Sequence, residues 1–161
     1  MINKLCVLLV CIIMFSCSND GVSGEKYEYH FFSDSELTIN TIENSYMKYG
    51  VVSEGDKIVF KYYYKAKDEE QIADDEYSEF IYFEIDSNLN SFEITDEALT
   101  TAKVVLSKSC FCFFQDTPDK NVAPTGIISG EKLSDDQWKI TLNVTFYGDE
   151  NRQFDKVFKL Q

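Results

Sequence analysis

The sequence predicts an all-β fold, an antiparallel β-sandwich, and two observations carry this prediction. Hydrophobic side chains recur with a period of two, most clearly from Trp138 to Phe146, where five apolar residues alternate with polar ones. Such alternation is typical of a strand that buries one face and exposes the other. Turn-forming residues separate the alternating segments, and helix signals are confined to one short stretch. Many short strands with little helix indicate an antiparallel sandwich or barrel, and the sandwich is the first choice.

Ten segments are predicted to form strands. They are Tyr27–Phe32, Glu36–Ile42, Tyr46–Val52, Ile58–Tyr64, Glu79–Ile85, Ser91–Ile94, Lys103–Gln115, Gly126–Lys132, Trp138–Tyr147 and Gln153–Leu160. Polar turn segments separate several of them, at residues 53–56, 86–88, 134–136 and 148–151, and the last is predicted to be a hairpin loop. Asp96–Lys103 is predicted to form a helix of two turns, with Thr95 as its N-cap.

The last two predicted strands suggest a more specific form of sandwich. A strand that begins with Trp138 is followed by a polar hairpin and then by Phe154, Val157, Phe158 and Leu160. This ending resembles the final two strands of immunoglobulin-like domains, and the resemblance implies an Ig-like sandwich. A lipocalin-like β-barrel is the alternative, although the early Gly-x-Trp motif of many lipocalins is absent.

The first twenty residues have the pattern of a secretion signal. Lys4 precedes an unbroken apolar run of 11 residues, from 5 to 15. This run is shorter than the roughly 20 residues that span a bilayer. It leads into Ser16 and Cys17, and residues 14–17, MFSC, resemble the lipobox of bacterial lipoprotein signals. The small residue and the cysteine match that family, whereas the two residues before them depart from its commonest pattern.

The lipoprotein resemblance implies a domain organisation and a location. In that family the cysteine is acylated and cleavage occurs directly before it. Residues 1–16 would then be the signal peptide, residues 17–26 the lipidated Cys17 and a short tether, and residues 27–161 a single domain. Several acyl chains give stable membrane attachment. Ser18 after the cysteine implies the outer membrane, with the periplasmic or surface leaflet left open, and the composition resembles small lipoproteins of Bacteroidetes-type bacteria. An ordinary cleaved signal is the alternative.

The charge balance excludes one large class of partner. The chain has 15 basic and 28 acidic residues, which gives a formal net charge of −13. Such a chain repels the phosphates of nucleic acid, so we expect no nucleic-acid partner. It is also not attracted to an anionic leaflet, so the lipid on Cys17 must supply the attachment to the membrane.

The inventory of reactive residues does not favour catalysis, and we expect a non-enzyme that needs no metal or cofactor. The one histidine, His30, lies in a predicted strand and is interpreted as structural. Cys110 and Cys112 would point to the same face of a strand and are interpreted as buried thiols, with a redox pair as the alternative. Acidic loops could hold calcium, but none has the spacing of an EF-hand.

The candidate binding residues lie on the polar faces of strands and in one acidic loop. Tyr63 and Tyr147 fall on the polar faces of their predicted strands, where an exposed tyrosine can stack on a sugar or anchor a protein. Loops at one end of a sandwich are natural binding surfaces. Four loop residues therefore complete the set: Asp74, Asp75, Glu76 and Tyr77.

These observations predict a membrane-anchored, non-catalytic module that binds an envelope protein or glycan. Two alternatives stay open: a small-ligand carrier or hydrolase of β-barrel type, and a structural envelope spacer. An enclosed pocket with convergent polar groups and a buried carboxylate would favour the first alternative.

Overall fold

The computed structural model describes residues 24–67, 76–112, 114, 116–147 and 150–161. Nine β-strands and one α-helix lie in these ranges, and every predicted strand overlaps an observed one, although the predicted Lys103–Gln115 is longer than the strand observed there. The elements are β1 (Lys26–Thr41), β2 (Lys48–Glu54), β3 (Lys57–Lys65), β4 (Tyr77–Asp86), β5 (Ser91–Thr95), α1 (Glu97–Thr101), β6 (Val105–Cys110), β7 (Thr125–Ser134), β8 (Gln137–Thr145) and β9 (Asn151–Leu160). A 3₁₀ turn covers Pro118–Asn121 between β6 and β7.

The strands form one open sheet whose two halves face each other. The order is β5-β7-β8-β9-β1-β3-β4-β6, and β2 pairs with β1 outside this path. Neighbours are antiparallel except β1 and β9, which are parallel where His30 and Phe31 face Lys159 and Leu160. Among the described residues β5 and β6 end the sheet without pairing to each other, so the barrel alternative is wrong. The predicted all-β sandwich is confirmed.

The core lies between the two halves and is built from the apolar residues of the period-two alternation. Phe60 of β3 is fully buried, and its ring centroid lies 5.7 Å from those of both Trp138 and Phe158 on the opposite half. On its own half it stacks on Phe83 at 4.7 Å. Burying each ring of this size contributes roughly 1.5–3 kcal/mol, so the alternation both defines the strands and holds the halves together.

Strand β1 changes partner halfway along its length. Lys26–Phe32 pairs with β3 and Ser35–Thr41 pairs with β2, and Ser35 also pairs with Lys57 of β3 after a shift in register. Asp34 has a φ of 49° at this shift, a left-handed conformation that a short polar side chain tolerates. The sequence predicted two separate strands here, and the structure joins them through this irregularity.

The second half of β1 and β2 form a hairpin that covers the outer face of β4. A Cβ built on Gly50 of β2 would lie 2.8 Å from the ring of Tyr82 and 3.0 Å from a methyl group of Leu37. Glycine permits this approach because it has no side chain. Leu37 is fully buried, and its amide donates a 2.8 Å hydrogen bond to the buried carboxylate of Glu84.

The predicted helix is confirmed, but its predicted cap is wrong. α1 buries Leu99, and its N-cap is Asp96 in place of Thr95. The Asp96 side chain makes no cap hydrogen bond. Its Oδ1 instead accepts a 3.0 Å hydrogen bond from the amide of Gly126 at the start of β7. The carboxylate therefore ties the helix to the sheet.

The prediction of buried cysteine thiols is wrong, because Cys110 and Cys112 form a disulfide. β6 ends at Cys110, so the chain leaves the strand before Cys112 and the two residues lose the spacing of an extended strand. Their Cα atoms are 5.1 Å apart, within the range that a disulfide requires. Cys112 is exposed, and Phe111 between the two cysteines is 81% exposed.

Candidate binding site at the tyrosine end of the sandwich

The structure brings three of the predicted binding residues together. Tyr63, Glu76 and Tyr77 line one surface pocket of about 330 Å³, beside Phe111. Tyr63 lies on the outer face of β3, as predicted, and its ring stacks on Phe80 of β4 at a centroid distance of 5.0 Å. Tyr63 and Tyr77 are half-buried, whereas Glu76 is exposed. Cross-strand packing therefore uses part of the Tyr63 ring, and the rest faces the pocket.

The other predicted site residues lie elsewhere. Cys17, Asp74 and Asp75 are outside the described residues. Tyr147 comes after β8, which ends at Thr145, so the period-two alternation no longer applies to it. Its ring packs against the core, and burial together with nearby carboxylates raises its pKa to about 12. The prediction that Tyr147 lies on a polar face is wrong.

A cleft that the sequence did not predict lies at the end of the sandwich where β1 begins. β1 and β9 pair over only two positions, and the pairing does not extend back to their first residues. A cleft of about 380 Å³ opens there, with walls from β1, β3 and β9. We name it the tyrosine cleft, and its lining residues are Tyr27, Tyr29, Tyr62, Arg152, Gln153, Phe154 and Lys156.

Aromatic contacts hold the rings of the tyrosine cleft in place. Tyr29 meets Phe154 edge-on at a centroid distance of 5.7 Å, and Tyr62 stacks on the same ring at 5.3 Å. Tyr27 packs against Tyr64 at 4.9 Å, yet it remains 50% exposed. Aromatic pairs contribute about 0.5–1.5 kcal/mol beyond the burial of their area. The cleft is therefore a preformed aromatic surface with one broad accessible ring.

Arg152, which lines the cleft, is fixed by two carboxylates. Its Nε and Nη2 donate hydrogen bonds of 2.8 and 2.5 Å to Glu79, and Nη2 donates another of 3.1 Å to Glu150. Glu79 is only 5% exposed. Burial by itself would raise the pKa of Glu79, but the hydrogen bonds from Arg152 and Tyr77 outweigh it and hold this pKa below its usual value. The charge of the guanidinium is thus balanced within the protein.

Tyr77 was predicted to lie in a loop, but it is the first residue of β4, and it contacts this ion pair. Its hydroxyl donates a hydrogen bond to Glu79, and burial raises its pKa. Its ring meets Tyr64 edge-on at 6.4 Å. Tyr77 therefore lies between the surface pocket and the tyrosine cleft and supports both.

Two hydroxyl groups of the cleft have no hydrogen-bond partner within the part of the chain that the structure describes. They belong to Tyr62, which is 8% exposed, and to Tyr29, which is half-buried. Burial raises the pKa of both phenols, so both are protonated at neutral pH. Each can therefore donate one hydrogen bond and accept others.

A second cleft, near the β1–β2 hairpin, is mostly aliphatic. It has a volume of about 500 Å³ and lies between that hairpin, the start of β6 and residues 121–124. At its edge Lys48 donates a 2.9 Å hydrogen bond to Asn121, and Lys103 is held by Glu84 at 2.9 Å. We name it the apolar cleft, and its apolar walls include Leu37, Ile39, Val104, Val105, Leu106, Val122 and Phe146. Tyr147 also lines it.

The reactive side chains are largely engaged with other protein groups. His30 Nε2 lies 3.7 Å from a carboxylate oxygen of Glu28, and its Nδ1 is buried without a hydrogen-bond partner among the described residues. The buried carboxylates Glu79 and Glu84 are both ion-paired. Over the same ranges, no group of three or more potential ligands could hold a metal ion. No helix in the described part of the chain has the length and hydropathy to cross a membrane.

The residues of the tyrosine cleft cannot be told from core residues by alternation, because they lie on the inward faces of their strands. Tyr27 and Tyr29 share a face of β1, and Tyr62 and Tyr64 share the matching face of β3. Alternation correctly identifies the inward face of each strand. It does not show how far a residue lies from the open end of the sheet. One signal was available: these positions carry tyrosine, whose hydroxyl group needs a partner or water, whereas the central positions carry phenylalanine.

Comparison with known proteins assigns no family to the chain. No protein-family model, no curated protein and no solved structure matches it.

Proposed function

We propose that this chain is a membrane-anchored, non-catalytic binding module of the bacterial cell envelope. Lipid on Cys17 would attach it to the outer membrane, and residues 17–26 would tether the domain. Its partner would be an envelope protein or glycan, bound at the tyrosine cleft. The observation that carries the proposal is the cleft itself, which combines fixed aromatic rings, one half-exposed tyrosine and two hydroxyl groups that have no hydrogen-bond partner among the described residues.

The cleft is suited to binding because its side chains are ordered without a ligand. Tyr29 and Tyr62 both contact Phe154, and Arg152 is held by Glu79. A preformed site avoids the entropy cost of ordering side chains when the ligand arrives. Tyrosine also offers a large contact area with few rotatable bonds, which explains its enrichment in binding hot spots.

The proposed anchor would hold the cleft near the membrane. Lys26, where β1 begins, is nine residues after Cys17. A fully extended chain of that length spans at most about 32 Å. Tyr27, the next residue, already lines the cleft. A ligand in the cleft would therefore lie within this reach of the membrane surface.

The use of the buried carboxylates supports a non-catalytic role. Glu79 is bound by Arg152, and Glu84 accepts a hydrogen bond from the Leu37 amide and is ion-paired with Lys103. A carboxylic acid that donates a proton in catalysis needs a raised pKa and access to its substrate. The pKa of Glu79 is lowered instead. Both groups connect elements of the fold.

The test combines an intact-mass measurement with capture of partners from the protein's own envelope. The mature chain is expected to have the mass of residues 17–161 plus its acyl chains. Wild-type, Tyr27→Ala and Tyr49→Ala proteins are then used as baits. Tyr49 is a matched control, because it is 43% exposed but lies on β2 and does not line the tyrosine cleft.

We expect the wild-type and Tyr49→Ala baits to retain the same partner and the Tyr27→Ala bait to lose it. An unacylated chain cleaved at another position would overturn the anchor. A partner that all three baits retain equally would overturn the assignment of the binding site. Capture of nothing by the acylated wild-type bait would favour the structural spacer.

The apolar cleft favours a second candidate function, the carriage of a small hydrophobic ligand. Its volume of about 500 Å³ falls within the roughly 300–1,000 Å³ of known ligand pockets, and its walls are mostly aliphatic. Native mass spectrometry of the protein purified from its envelope should then show a bound small molecule. Val122→Glu should abolish that mass, because Val122 is 62% exposed at this cleft and a charge there would oppose an apolar ligand. A ligand-free wild-type spectrum would reject carriage.

A further inference from the structure

We infer that the tyrosine cleft binds an uncharged saccharide, with a sugar ring against Tyr27 and sugar hydroxyls against Tyr62 and Tyr29. This deepens the binding function proposed above and depends on it. Three features of the cleft carry the inference: the aromatic surface, the unpartnered hydroxyl groups and the balanced charge.

The aromatic surface matches the apolar face of a sugar ring. A pyranose has C–H groups on its two faces and hydroxyl groups around its rim. Tyr27 is 50% exposed, and Tyr64 supports its ring at a centroid distance of 4.9 Å. The C–H face of a sugar packs on such a ring because apolar area is buried and the ring face is electron-rich.

The unpartnered hydroxyl groups match the rim of the sugar. Tyr62 is more than nine-tenths buried, at 8% exposure, and it lines the cleft with no hydrogen-bond partner among the described residues. Its hydroxyl oxygen is not itself buried, so water can reach it, and a ligand that replaces this water should both donate and accept hydrogen bonds. Sugar hydroxyls do both, as does the phenol of Tyr29 beside it.

The charges around the cleft favour an uncharged saccharide over an acidic one. Arg152 is already bound by Glu79 and Glu150, so its guanidinium is not available as an unpaired cation. Glu25 adds a carboxylate, which accepts a 3.1 Å hydrogen bond from the outermost tyrosine. Lys156 is exposed, and water screens its charge.

An extended peptide is the main rival occupant, because β1 and β9 diverge and could receive an added strand between them. The aromatic rings of the cleft argue against an added peptide strand. Tyr29 contacts both Phe154 and Phe158 across the gap, at centroid distances of 5.7 and 5.4 Å. These side chains already bridge the two strands, whereas an added strand would have to separate them.

The test uses the full mature protein on an array of neutral and acidic oligosaccharides built from hexoses, N-acetylhexosamines and uronic acids. Titration calorimetry with the neutral saccharide that binds most strongly then compares the wild type with three variants. Tyr27→Ala should weaken binding about tenfold or more. Tyr62→Phe should weaken it about two- to twelvefold, because it removes one hydroxyl group and leaves the ring. Tyr49→Ala should change the affinity less than about twofold, since it lies outside the cleft.

Each outcome decides a different part of the inference. Failure of every neutral saccharide to bind, or equal affinities for Tyr27→Ala and wild type, would overturn it. Preference for the uronic acids would overturn the uncharged ligand. If the envelope capture yields a Tyr27-dependent protein while the array is silent, the saccharide is rejected and the binding function stands. If neither assay yields a ligand, the saccharide and the binding function are both rejected. Thermal midpoints of the variants establish that each is folded, and Tyr62→Phe preserves the packing if Tyr27→Ala does not fold.

Discussion

Replacing Glu79 by glutamine tests whether the ion pair beside the tyrosine cleft holds the two halves of the sandwich together. Glu79 lies on β4 and its partner Arg152 lies on β9. Three donors converge on the carboxylate: Arg152 Nε at 2.8 Å, Arg152 Nη2 at 2.5 Å and the hydroxyl of Tyr77. Glutamine has nearly the same size but carries no charge and offers only one acceptor oxygen.

The size of the expected loss in the free energy of unfolding depends on the interactions that Arg152 retains after the substitution. Removing one partner of a buried ion pair costs about 3–5 kcal/mol. Here the Arg152 side chain is 24% exposed and retains Glu150 at 3.1 Å, and glutamine can still accept one hydrogen bond. We therefore expect Glu79→Gln to lower the free energy of unfolding by about 2 kcal/mol at pH 7. For a domain of this size, that corresponds to a Tm about 6 °C lower.

The loss of stability caused by Glu79→Gln should become smaller as the pH falls. The pKa of Glu79 is lowered in the folded protein, so its stabilising contribution is present above the unfolded pKa of about 4.3. That contribution disappears as the pH falls through the lower, folded pKa. The difference between wild type and Glu79→Gln should therefore be constant from pH 6 to 8 and shrink as the pH falls below about 4.

Urea unfolding at pH 7 and at pH 3.5 measures both effects, with the fluorescence of the single, buried Trp138 as the probe. Asp155→Asn is the control, because Asp155 pairs with Lys139 at 3.3 Å but is 55% exposed, and such a pair contributes less than about 1 kcal/mol. A difference below about 0.5 kcal/mol for Glu79→Gln at pH 7, or one that persists unchanged into acid, would refute the reasoning.

Three further changes test the core, the sheet and the disulfide. Phe60→Ala should lower the free energy of unfolding in urea by about 3–5 kcal/mol, because it leaves a cavity between the two halves. Gly130→Ala should cost about 1–3 kcal/mol, since its Cβ would lie 2.2 Å from the ring of Phe92, and adding Phe92→Ala should then cost less than it does in the wild type. Serine at both Cys110 and Cys112 should cost about 1.5 kcal/mol, and thiol titration should detect these two thiols only after reduction.

The strands could be predicted because their signal is local. In β8, Trp138, Ile140, Leu142 and Val144 are all fully buried, and the residues between them are exposed. A pleated strand points successive side chains to opposite faces, so the sequence of one strand is enough to identify its buried face. The same rule identified the outer face that carries Tyr63.

The rule failed wherever the strand ended or changed partner. Tyr147 follows the last residue of β8, and Cys112 follows the last residue of β6, so neither obeys the alternation that precedes it. At Asp34 the chain continues as one strand where two were predicted. Strand ends depend on where neighbours stop pairing, and that information lies in other parts of the chain.

The sequence by itself determined the fold class, the approximate positions of the strands among the described residues and the apolar faces that form the core, because alternation is a property of neighbouring residues. Only the tertiary structure decided that β1 pairs in parallel with β9, that these strands diverge, and that tyrosines from β1 and β3 meet Arg152 and Phe154 in one cleft. Arg152 and Phe154 lie at least 90 positions after these tyrosines in the chain, and long-range pairing rather than local preference brings them together.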